Sequence, residues 1–449
     1  MAKIRTPKSL RDLFVEHNPS DIFTYISKYG VTSAKGEYLH WDKFKWKVAK
    51  GDNDELAWLA TKYARKSISK QLPLLAERGE RFSYCVPDSL FAKLHEIDKM
   101  TGGGHDLGDG MFISSREKDR YLVKSLMMEE AITSSQLEGA STTRKVAKEM
   151  LQSQRAPKDK SEQMIFNNFM LMKHAVEKKD EDLSIDLILE FHSIATHRAI
   201  DNDAISGKFR EDNDILVSNI YNEVSHEPPC HNSIIDRIEE LCDFANETHD
   251  ASNSDNFIHP VIKAVILHFM IGFIHPFGDG NGRTARALFY WSMLRSGYWL
   301  FEYVSISKLI QEKRNDYDTA FVYTETDDFD LTYFLYHQVD IIIKAVNSLH
   351  LYIDSKKQEY YDFMQWIEKS PIASTLKRGH QELLKTALKE PGKVFTAKLV
   401  ATEQDINENT ARSYLKRLVD LDLLIESKSK RSKTIRYVAP ANLKELLKI

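Results

Sequence analysis

Thirteen residues, Ile274 to Arg286, bring several chemically active side chains together in the sequence IHPFGDGNGRTAR. His275 can accept a proton near neutral pH, where an imidazole titrates. Asp279 is a hard oxygen ligand suited to Mg²⁺. The glycines leave backbone N–H groups free for an anion, and Arg283 and Arg286 add two cations. A base, a magnesium ligand and an anion site together predict a site for phosphoryl or nucleotidyl transfer.

Two helices must hold this loop. Proline disfavours helix in the residue before it, so the apolar helix VIKAVILHFMIGF is expected to stop before Pro276. The segment GDGNG then predicts a tight turn, and RTARALFYWSML predicts a second helix. Arg283 and Arg286 are three residues apart and project from one face of its first turns. Cations there oppose the helix dipole, which favours a bound polyphosphate that compensates them.

The surrounding chain is predicted to be mainly helical. From Ser114 to about Ser370, apolar residues recur at intervals of three and four, as a helix with one buried face requires. One segment, FREDNDILVSNIYNEVSHEPP, alternates short apolar runs with Asn and Asp and predicts a hairpin or extended flap. Residues 1–110 carry helix-like stretches such as DNDELAWLATKYARKSISKQLPLLAER and predict a helical N-terminal region.

The pattern changes after about residue 376. Three short amphipathic segments are followed by IESKSKRSKTIRYVAP, which indicates helix, helix, helix and a two-stranded wing. Asn407 is suited to cap the third helix. This order resembles a winged helix-turn-helix domain over residues 376–449.

Composition restricts the class of protein. The 449 residues carry a net charge of −4, which excludes a polycation that coats nucleic acid non-specifically. The three cysteines form no CxxC pair, so neither a disulfide framework nor a zinc ribbon is indicated. The N-terminus lacks the apolar core of a signal peptide, and the most apolar run is too short and too polar to cross a membrane. A cytoplasmic protein is therefore expected.

The motif HPFGDGNGRTAR resembles the Fic family, whose signature HPFx(D/E)GNGRxxR it matches at every fixed position. The similarity extends to IHPVIKAVILHFMIGFIHPF upstream, to SGKFR at the start of the flap and to ISKLIQEKRNDY downstream, from about residue 114 to 345. The resemblance implies a Fic-type helical bundle over residues 111–370, with the flap as a β-hairpin.

The resemblance also implies an activity, the transfer of AMP from ATP to a hydroxyl side chain of a protein, including the enzyme itself. His275 would be the general base, and Asp279 would bind Mg²⁺. The remaining assignments concern the nucleotide: Gly280, Asn281 and Gly282 would cradle the α- and β-phosphates, Arg283 and Arg286 would bind the outer phosphates, and Leu216, Val217 and Tyr317 would lie at the nucleotide. Relatives with other chemistries usually alter the second glycine of GNG, which is kept here.

A second motif, TSSQLEGA, is similar to the family's inhibitory sequence (S/T)xxxE(G/N), with Ser134, Glu138 and Gly139 at its fixed positions. Because it precedes HPFGDGNGR, the resemblance implies the N-terminally inhibited class, with the inhibitory helix near residues 134–139. Glu138 would pair with Arg286 and deprive the γ-phosphate of its partner. Removal of AMP from modified targets is a further activity expected of this class.

Two features depart from the family pattern. The flap DILVSNIYNE lacks the family's tryptophan-glycine pattern, and Glu325 stands where an asparagine near adenine is expected. The edge of the flap at ILVSN could instead pair with a strand of the target.

Several alternatives stay open. His226, Cys230 and His231 could suggest zinc, although the end of the flap is the more economical interpretation. The C-terminal domain could bind DNA, or could serve dimerisation or substrate docking. The basic residues that suggest DNA binding are Arg412, Lys416 and Arg417 on the third helix and Lys428, Lys430, Arg431, Lys433 and Arg436 in the wing. The rival functions are transfer of another nucleotide or of phosphocholine, and DNA-binding regulation with a site that only senses nucleotide.

Overall fold

The computed structural model describes residues 4–77, 79–102, 116–200, 205–218, 223–250, 256–370, 372, 375–389, 392–428 and 435–447. The chain divides into two compact units, Met1–Leu349 and His350–Ile449. The expected three-part division, with boundaries at 110 and near 370–376, stays a prediction. Among the described residues, no helix combines the length and apolar composition that a membrane-spanning segment needs.

The first unit is mainly helical, as predicted. Its helices are α1 Leu10–Glu16, α2 Pro19–Ile26, α3 Trp41–Phe44, α4 Asp54–Ile68, α5 Asp88–Thr101, α6 Arg116–Leu137, α7 Arg144–Ser153, α8 Lys160–Glu177, α9 Ile185–Thr196, α10 Ile234–Asn246, α11 Pro260–Ile274, α12 Asn281–Arg295, α13 Ser307–Glu312, α14 Arg314–Thr326 and the start of α15 Thr332–Lys369. Its strands are β1 Lys70–Leu75, β2 Arg81–Tyr84, β3 Val217–Ser218 and β4 Val224–His226.

The helical N-terminal region contains one departure: the helix-like stretch DNDELAWLATKYARKSISKQLPLLAER is helical only as far as Ile68. There the chain forms the antiparallel hairpin β1–β2 instead of continuing α4. Leu72 and Leu74 are buried while their neighbours Gln71 and Pro73 are exposed, so the segment has the period of two that a strand requires. Pro73 would also remove a hydrogen bond from a helix interior.

The centre of the first unit is the pair α11 and α12. Almost every side chain of both helices is buried, from Val261 to Ile274 and from Arg283 to Leu294. A helix that is apolar on all faces must be surrounded by others: α8 and α9 pack against α12, and α10 packs against α11. The loop between them, residues 275–280, is therefore fixed at both ends by the most buried part of the fold.

The predicted flap is present as the short antiparallel pair β3–β4, with Val217 opposite His226. Residues 219–222, which connect the two strands, lie outside the described part of the chain. Leu216, immediately before β3, is about half exposed.

The second unit contains the end of α15, the helices α16 Arg378–Lys389, α17 Ala397–Gln404, α18 Glu408–Asp420 and α19 Leu443–Leu447, and a three-stranded antiparallel sheet of β5 Val394–Phe395, β6 Ile425–Lys428 and β7 Ile435–Val438. The strand order is β5-β7-β6, with β5 as a strand that the sequence did not predict. Asn407 caps α18 as predicted, because its side chain accepts a hydrogen bond from the Asn409 N–H at 2.8 Å. Winged-helix identity stays a prediction, and Lys430, Arg431 and Lys433 of the wing lie outside the described residues.

Candidate functional site

The loop between α11 and α12 is closed by a side chain. Helix α11 ends at Ile274, as the proline predicts, and His275 adopts the left-handed conformation with φ of 47°. Asn281, the first residue of α12, accepts a hydrogen bond from the Phe277 N–H at 3.0 Å and donates one to the Phe277 carbonyl at 2.7 Å. Gly280 has φ of 84°, and a Cβ there would lie 2.6 Å from Thr196. The loop conformation therefore requires both Asn281 and Gly280.

His275 is oriented for proton transfer. Its Nδ1–H donates to the Gly272 carbonyl at 3.3 Å, which leaves Nε2 with a lone pair. Burial is the main reason that the pKa of His275 is lowered to about 4, and nearby His226 and Arg210 lower it further. The imidazole is therefore neutral at physiological pH and can act as a base there.

His192, which the sequence analysis did not assign to the site, fixes this loop from outside. His192 on α9 stacks on Phe277 with the ring centroids 3.7 Å apart, and its Nε2–H donates to the Asp279 carbonyl at 2.8 Å. Its Nδ1 accepts from the Gly207 N–H at 3.0 Å, so one neutral imidazole joins α9, the loop and the start of the flap. Burial lowers the pKa of His192 to about 4, which keeps this tautomer neutral.

Arg210 joins the flap to the loop between α11 and α12. Its Nε–H donates to the His275 carbonyl at 2.9 Å, and its backbone N–H donates to the Pro276 carbonyl at 2.9 Å. The rest of the guanidinium donates to the carbonyls of Asp212 and Pro229, one before β3 and one after β4. The two ends of the flap and the backbone of His275 therefore share one anchor.

Arg283 is fully buried and is bound within the protein. It donates to the Ala195 carbonyl at 2.7 Å and to Asp279 Oδ1 at 3.2 Å. Its predicted contact with the outer phosphates stays a prediction. In the present arrangement it holds Asp279 and α9 in place.

Asp279 is suited to a divalent cation by its remaining oxygen. Oδ1 accepts from Arg283 and from the Gly280 N–H, and within the described part of the chain no hydrogen bond to Oδ2 is found. The carboxylate side chain is 31% exposed at the edge of the loop. A hard, accessible carboxylate oxygen beside an anion site fits Mg²⁺, although its binding stays a prediction.

Arg286 is held by the turn that the second motif predicts. Its Nε–H donates to Ser134 Oγ at 2.8 Å, and its terminal nitrogen donates to the Ser134 carbonyl at 3.2 Å and to Glu138 Oε1 at 2.8 Å. Glu138 lies in the turn after α6, where Gly139 adopts φ of 96°. The ion pair between Glu138 and Arg286 is therefore confirmed as a structural feature.

The carboxylate of Glu138 lies directly over Gly282. A Cβ at position 282 would lie 2.3 Å from Glu138 Oε1 and 3.1 Å from Arg286. Burial alone would raise the pKa of the Glu138 carboxyl, but Arg286 and Arg283 outweigh it and hold the pKa below its ordinary value. The first turn of α12, which offers the anion site, is thus covered by an internal anion.

A second acidic residue of α6, Glu130, was also missing from the sequence analysis. Its buried carboxylate accepts hydrogen bonds from Ser307 Oγ at 2.5 Å, the Ser307 N–H at 3.2 Å and Ser305 Oγ at 2.7 Å. Two turns of α6 separate it from Glu138. Glu130 therefore fixes α6 to the start of α13.

The predicted nucleotide contacts beyond the loop have internal partners. Tyr317 is hydrogen-bonded to the buried His268 at 3.1 Å. His226 on β4 donates from Nε2 to the Phe273 carbonyl at 2.7 Å and from Nδ1 to Glu325 at 2.9 Å. Burial would lower the pKa of His226, but Glu325 raises it above its ordinary value. Glu325 therefore anchors the second flap strand.

The zinc alternative for His226, Cys230 and His231 gains no support. Among the described residues these three side chains do not converge on a common point. His226 is instead bound to Glu325, and His231 is bound to Asn213.

Residues 182–293 match the Fic/DOC family. The chain contains a Fic domain. A protein adenylyltransferase fic-1 of Caenorhabditis elegans is 32% identical over 123 residues, which are 27% of this chain and 22% of the relative. A protein adenylyltransferase Fic of Nematostella vectensis is 31% identical over 121 residues, 27% of this chain and 25% of the relative. The matched segment thus spans about a quarter of the length of these relatives.

The fold agrees with a solved Fic structure. The superposition on the crystal structure of a Fic family protein from Desulfovibrio desulfuricans covers 79% of this chain and 97% of the other protein's chain, with a TM-score of 0.51 and 18% sequence identity. At that identity the similarity concerns the fold alone.

The structure brings together His275, the GDGNG loop and Arg286 of the matched segment with the motif around Glu138, which precedes it in sequence. It leaves Leu216 and Val217 on the flap and Tyr317 beneath the site, and their roles at a nucleotide stay predictions. The supporting residues His192, Arg210 and Glu130 come from distant parts of the sequence. Signals for them were weak: His192 is a polar residue within the apolar helical pattern ILEFHSIA, and Arg210 ends the segment SGKFR, which is similar to the family but had no role assigned to it.

Proposed function

We propose that the protein is an adenylyltransferase that transfers AMP from ATP to a hydroxyl side chain of a protein, and that α6 inhibits it. The observation that carries this proposal is the neutral imidazole of His275 in the loop that leads directly into the N-terminal turn of α12. A base next to an anion site is the pair of functions that nucleotidyl transfer to a hydroxyl requires. The names of the relatives, protein adenylyltransferases, support the same activity.

The phosphates of ATP would bind at the start of α12. The N–H groups of Asn281, Gly282 and Arg283 belong to the first helical turn, which has no intrahelical acceptors for them. Such groups bind phosphate oxygens, and the helix dipole favours the negative charge. Gly282 permits close approach because it has no Cβ. Arg286 supplies the cation for the outer phosphates once Glu138 has moved away.

In the transfer step, His275 Nε2 takes the proton of the target hydroxyl. The hydroxyl oxygen forms a bond to the α-phosphorus, the bond from that phosphorus to the bridging oxygen of the β-phosphate breaks, and pyrophosphate leaves. The product is an AMP ester of the side chain. Arg210 and His192 contribute by holding the backbone of His275 and Asp279 in place.

Mg²⁺, held by Asp279, would neutralise charge on the phosphate oxygens. The chain's own contribution is to orient that carboxylate, because Arg283 and the Gly280 N–H both hold Oδ1.

Inhibition follows from the position of Glu138. Its carboxylate occupies Arg286 and covers Gly282, so a triphosphate would meet a like charge and lack its cation. An ATP molecule that binds nonetheless would be displaced from the in-line geometry that transfer needs. Removal of AMP from a modified target is a second activity that we propose for this inhibited state.

The test is transfer of label from α-labelled ATP to protein by the purified full chain. We expect weak labelling by the wild type, strong labelling by Glu138→Gly, and none when His275→Ala is combined with Glu138→Gly. Label that persists without His275 would contradict the proposed role of the imidazole.

A further inference from the structure

Charge is distributed unevenly between the two ends of the sequence. Residues 376–449 contain 16 Lys and Arg against 9 Asp and Glu, a formal charge of +7. The other 375 residues carry −11, which gives the −4 of the whole chain. A basic segment attached to an acidic remainder points to a polyanionic partner for that segment.

The second unit presents one helix for such a partner. Helices α17 and α18 are joined by the tight turn Asp405–Asn407, in which Asp405 has φ of 51°. Ala411, Leu415 and Leu418 of α18 are buried in the core of this unit. The opposite face of the helix is therefore directed to solvent.

The exposed side chains of α18 have the chemistry of nucleic-acid recognition. Asn409, Arg412 and Ser413 offer an amide, a guanidinium and a hydroxyl, which are the groups that hydrogen-bond to the edges of bases in the major groove. Lys416 and Arg417, one turn further on, offer cations for phosphates. An α-helix fits the major groove, and the second helix of a tight helix-turn-helix is the one that enters it.

The same face is poorly suited to a protein partner. The residues that contribute most to protein interfaces are Trp, Tyr and Arg, packed in desolvated pockets. The exposed residues of α18 are Glu408, Asn409, Thr410, Arg412, Ser413, Lys416, Arg417 and Asp420, and they include arginines but no aromatic or large apolar side chain around which a desolvated pocket could form. Arg412 contacts Glu408 at 3.2 Å, but both side chains are about half exposed, and an exposed pair of this kind is readily exchanged for a phosphate or a base.

We infer that the second unit binds double-stranded DNA through α18, with the N-terminal half of the helix in the major groove. This function is independent of nucleotidyl transfer by the Fic domain.

The experiment measures binding of the full chain to a fluorescent duplex pool of random sequence, by anisotropy, over a series of salt concentrations. Each phosphate contact contributes roughly 0.9 to the slope of log K against log salt. We expect Arg412→Ala/Lys416→Ala/Arg417→Ala to reduce that slope by about 2, for the two phosphate contacts of Lys416 and Arg417, and to weaken binding at least roughly tenfold. The matched control, Lys35→Ala/Lys50→Ala/Lys173→Ala, removes three exposed cations from the first unit and should leave binding unchanged.

A second measurement concerns sequence selection. Repeated selection from the pool should enrich a short motif, and Asn409→Ala/Ser413→Ala should weaken that preference while leaving the salt slope nearly unchanged.

Label transfer from ATP by the α18 variants should equal that of the parent chain, so failure of the DNA-binding inference is distinguishable from failure of the proposed transferase activity. No duplex binding at low salt, or equal losses in both triple variants, would overturn the inference. Binding of the α18 face to polyglutamate but not to duplex would overturn it in favour of an acidic protein partner.

Discussion

Replacement of Glu138 by glycine should activate the transferase. The substitution removes the carboxylate that accepts from Arg286 at 2.8 Å and lies over Gly282. Glu138 lies after the end of α6, so glycine there does not interrupt the helix. Arg286 keeps its two hydrogen bonds to Ser134 and therefore stays in position for a phosphate.

The size of the gain follows from the exposure of the pair. Removing one partner of a fully buried ion pair costs about 3–5 kcal/mol. Arg286 is 3% exposed but Glu138 is 27% exposed, so the pair is worth less than that limit. We take the state in which Arg286 is paired with Glu138 to be about 1.4–2.8 kcal/mol more stable than the state in which Arg286 is available to ATP. Removing the pair should then raise the labelling rate by roughly 10- to 100-fold.

The assay is the rate of labelling from α-labelled ATP at a subsaturating concentration. Glu138→Gln is the informative companion: it keeps the volume over Gly282 but loses the charge, so it should show a smaller gain. Glu138→Gly/Arg286→Ala should lose most of the gain, because the released arginine is the agent of activation. If Glu138→Gly labels no better than the wild type, the inhibitory role of this residue is refuted.

Three further predictions concern the surrounding residues. His275→Ala should lower the transfer rate by roughly 10²–10⁴-fold with ATP affinity nearly unchanged. In the Glu138→Gly background, kcat/KM should fall only as pH drops through about 4, because the lowered pKa of His275 keeps its imidazole neutral above that pH. A fall in kcat/KM near pH 6.5 would contradict this assignment. Glu130→Gln should activate the enzyme several-fold by loosening α6, whereas Glu129→Gln on the same helix, which pairs with exposed cations, should not; equal effects on labelling would refute the anchoring role. Gly282→Ala should cost about 1–3 kcal/mol of stability in the wild type but less in Glu138→Gly, as measured by thermal unfolding, and equal costs would show that the carboxylate does not cover this position.

The parts of the site that are contiguous in sequence could be predicted. The position of Pro276 gave the end of α11, and the turn residues of GDGNG gave the loop, because these constraints act within a few residues. The hairpin β1–β2 did not follow from the sequence pattern, because Leu74 lies between Pro73 and Leu75 and the polar alternation that indicates a strand is incomplete. A run of six residues is short enough that the helical pattern before it was extended through it.

The residues that hold the site in place could not be predicted in the same way. Glu130 lies 177 residues from Ser307, and His192 lies 87 residues from Asp279. Such pairs meet only because α6 packs against α13 and α9 packs against α12, and packing is a property of the whole fold. Arg283 shows the same limit: its spacing from Arg286 indicated a shared face, whereas the structure binds it to Ala195 and Asp279.

The central claim is that the group transferred to protein is AMP. Intact-mass and peptide mass spectrometry of the Glu138→Gly protein after incubation with ATP tests it most directly, with paired reactions in which either the α- or the γ-phosphate carries the label. We predict an AMP adduct on a hydroxyl side chain, with label retained only from the α position and lost in the His275→Ala variant of the same background. A phosphate adduct, label from the γ position, or an adduct formed only with another nucleotide or a phosphocholine donor would contradict the account.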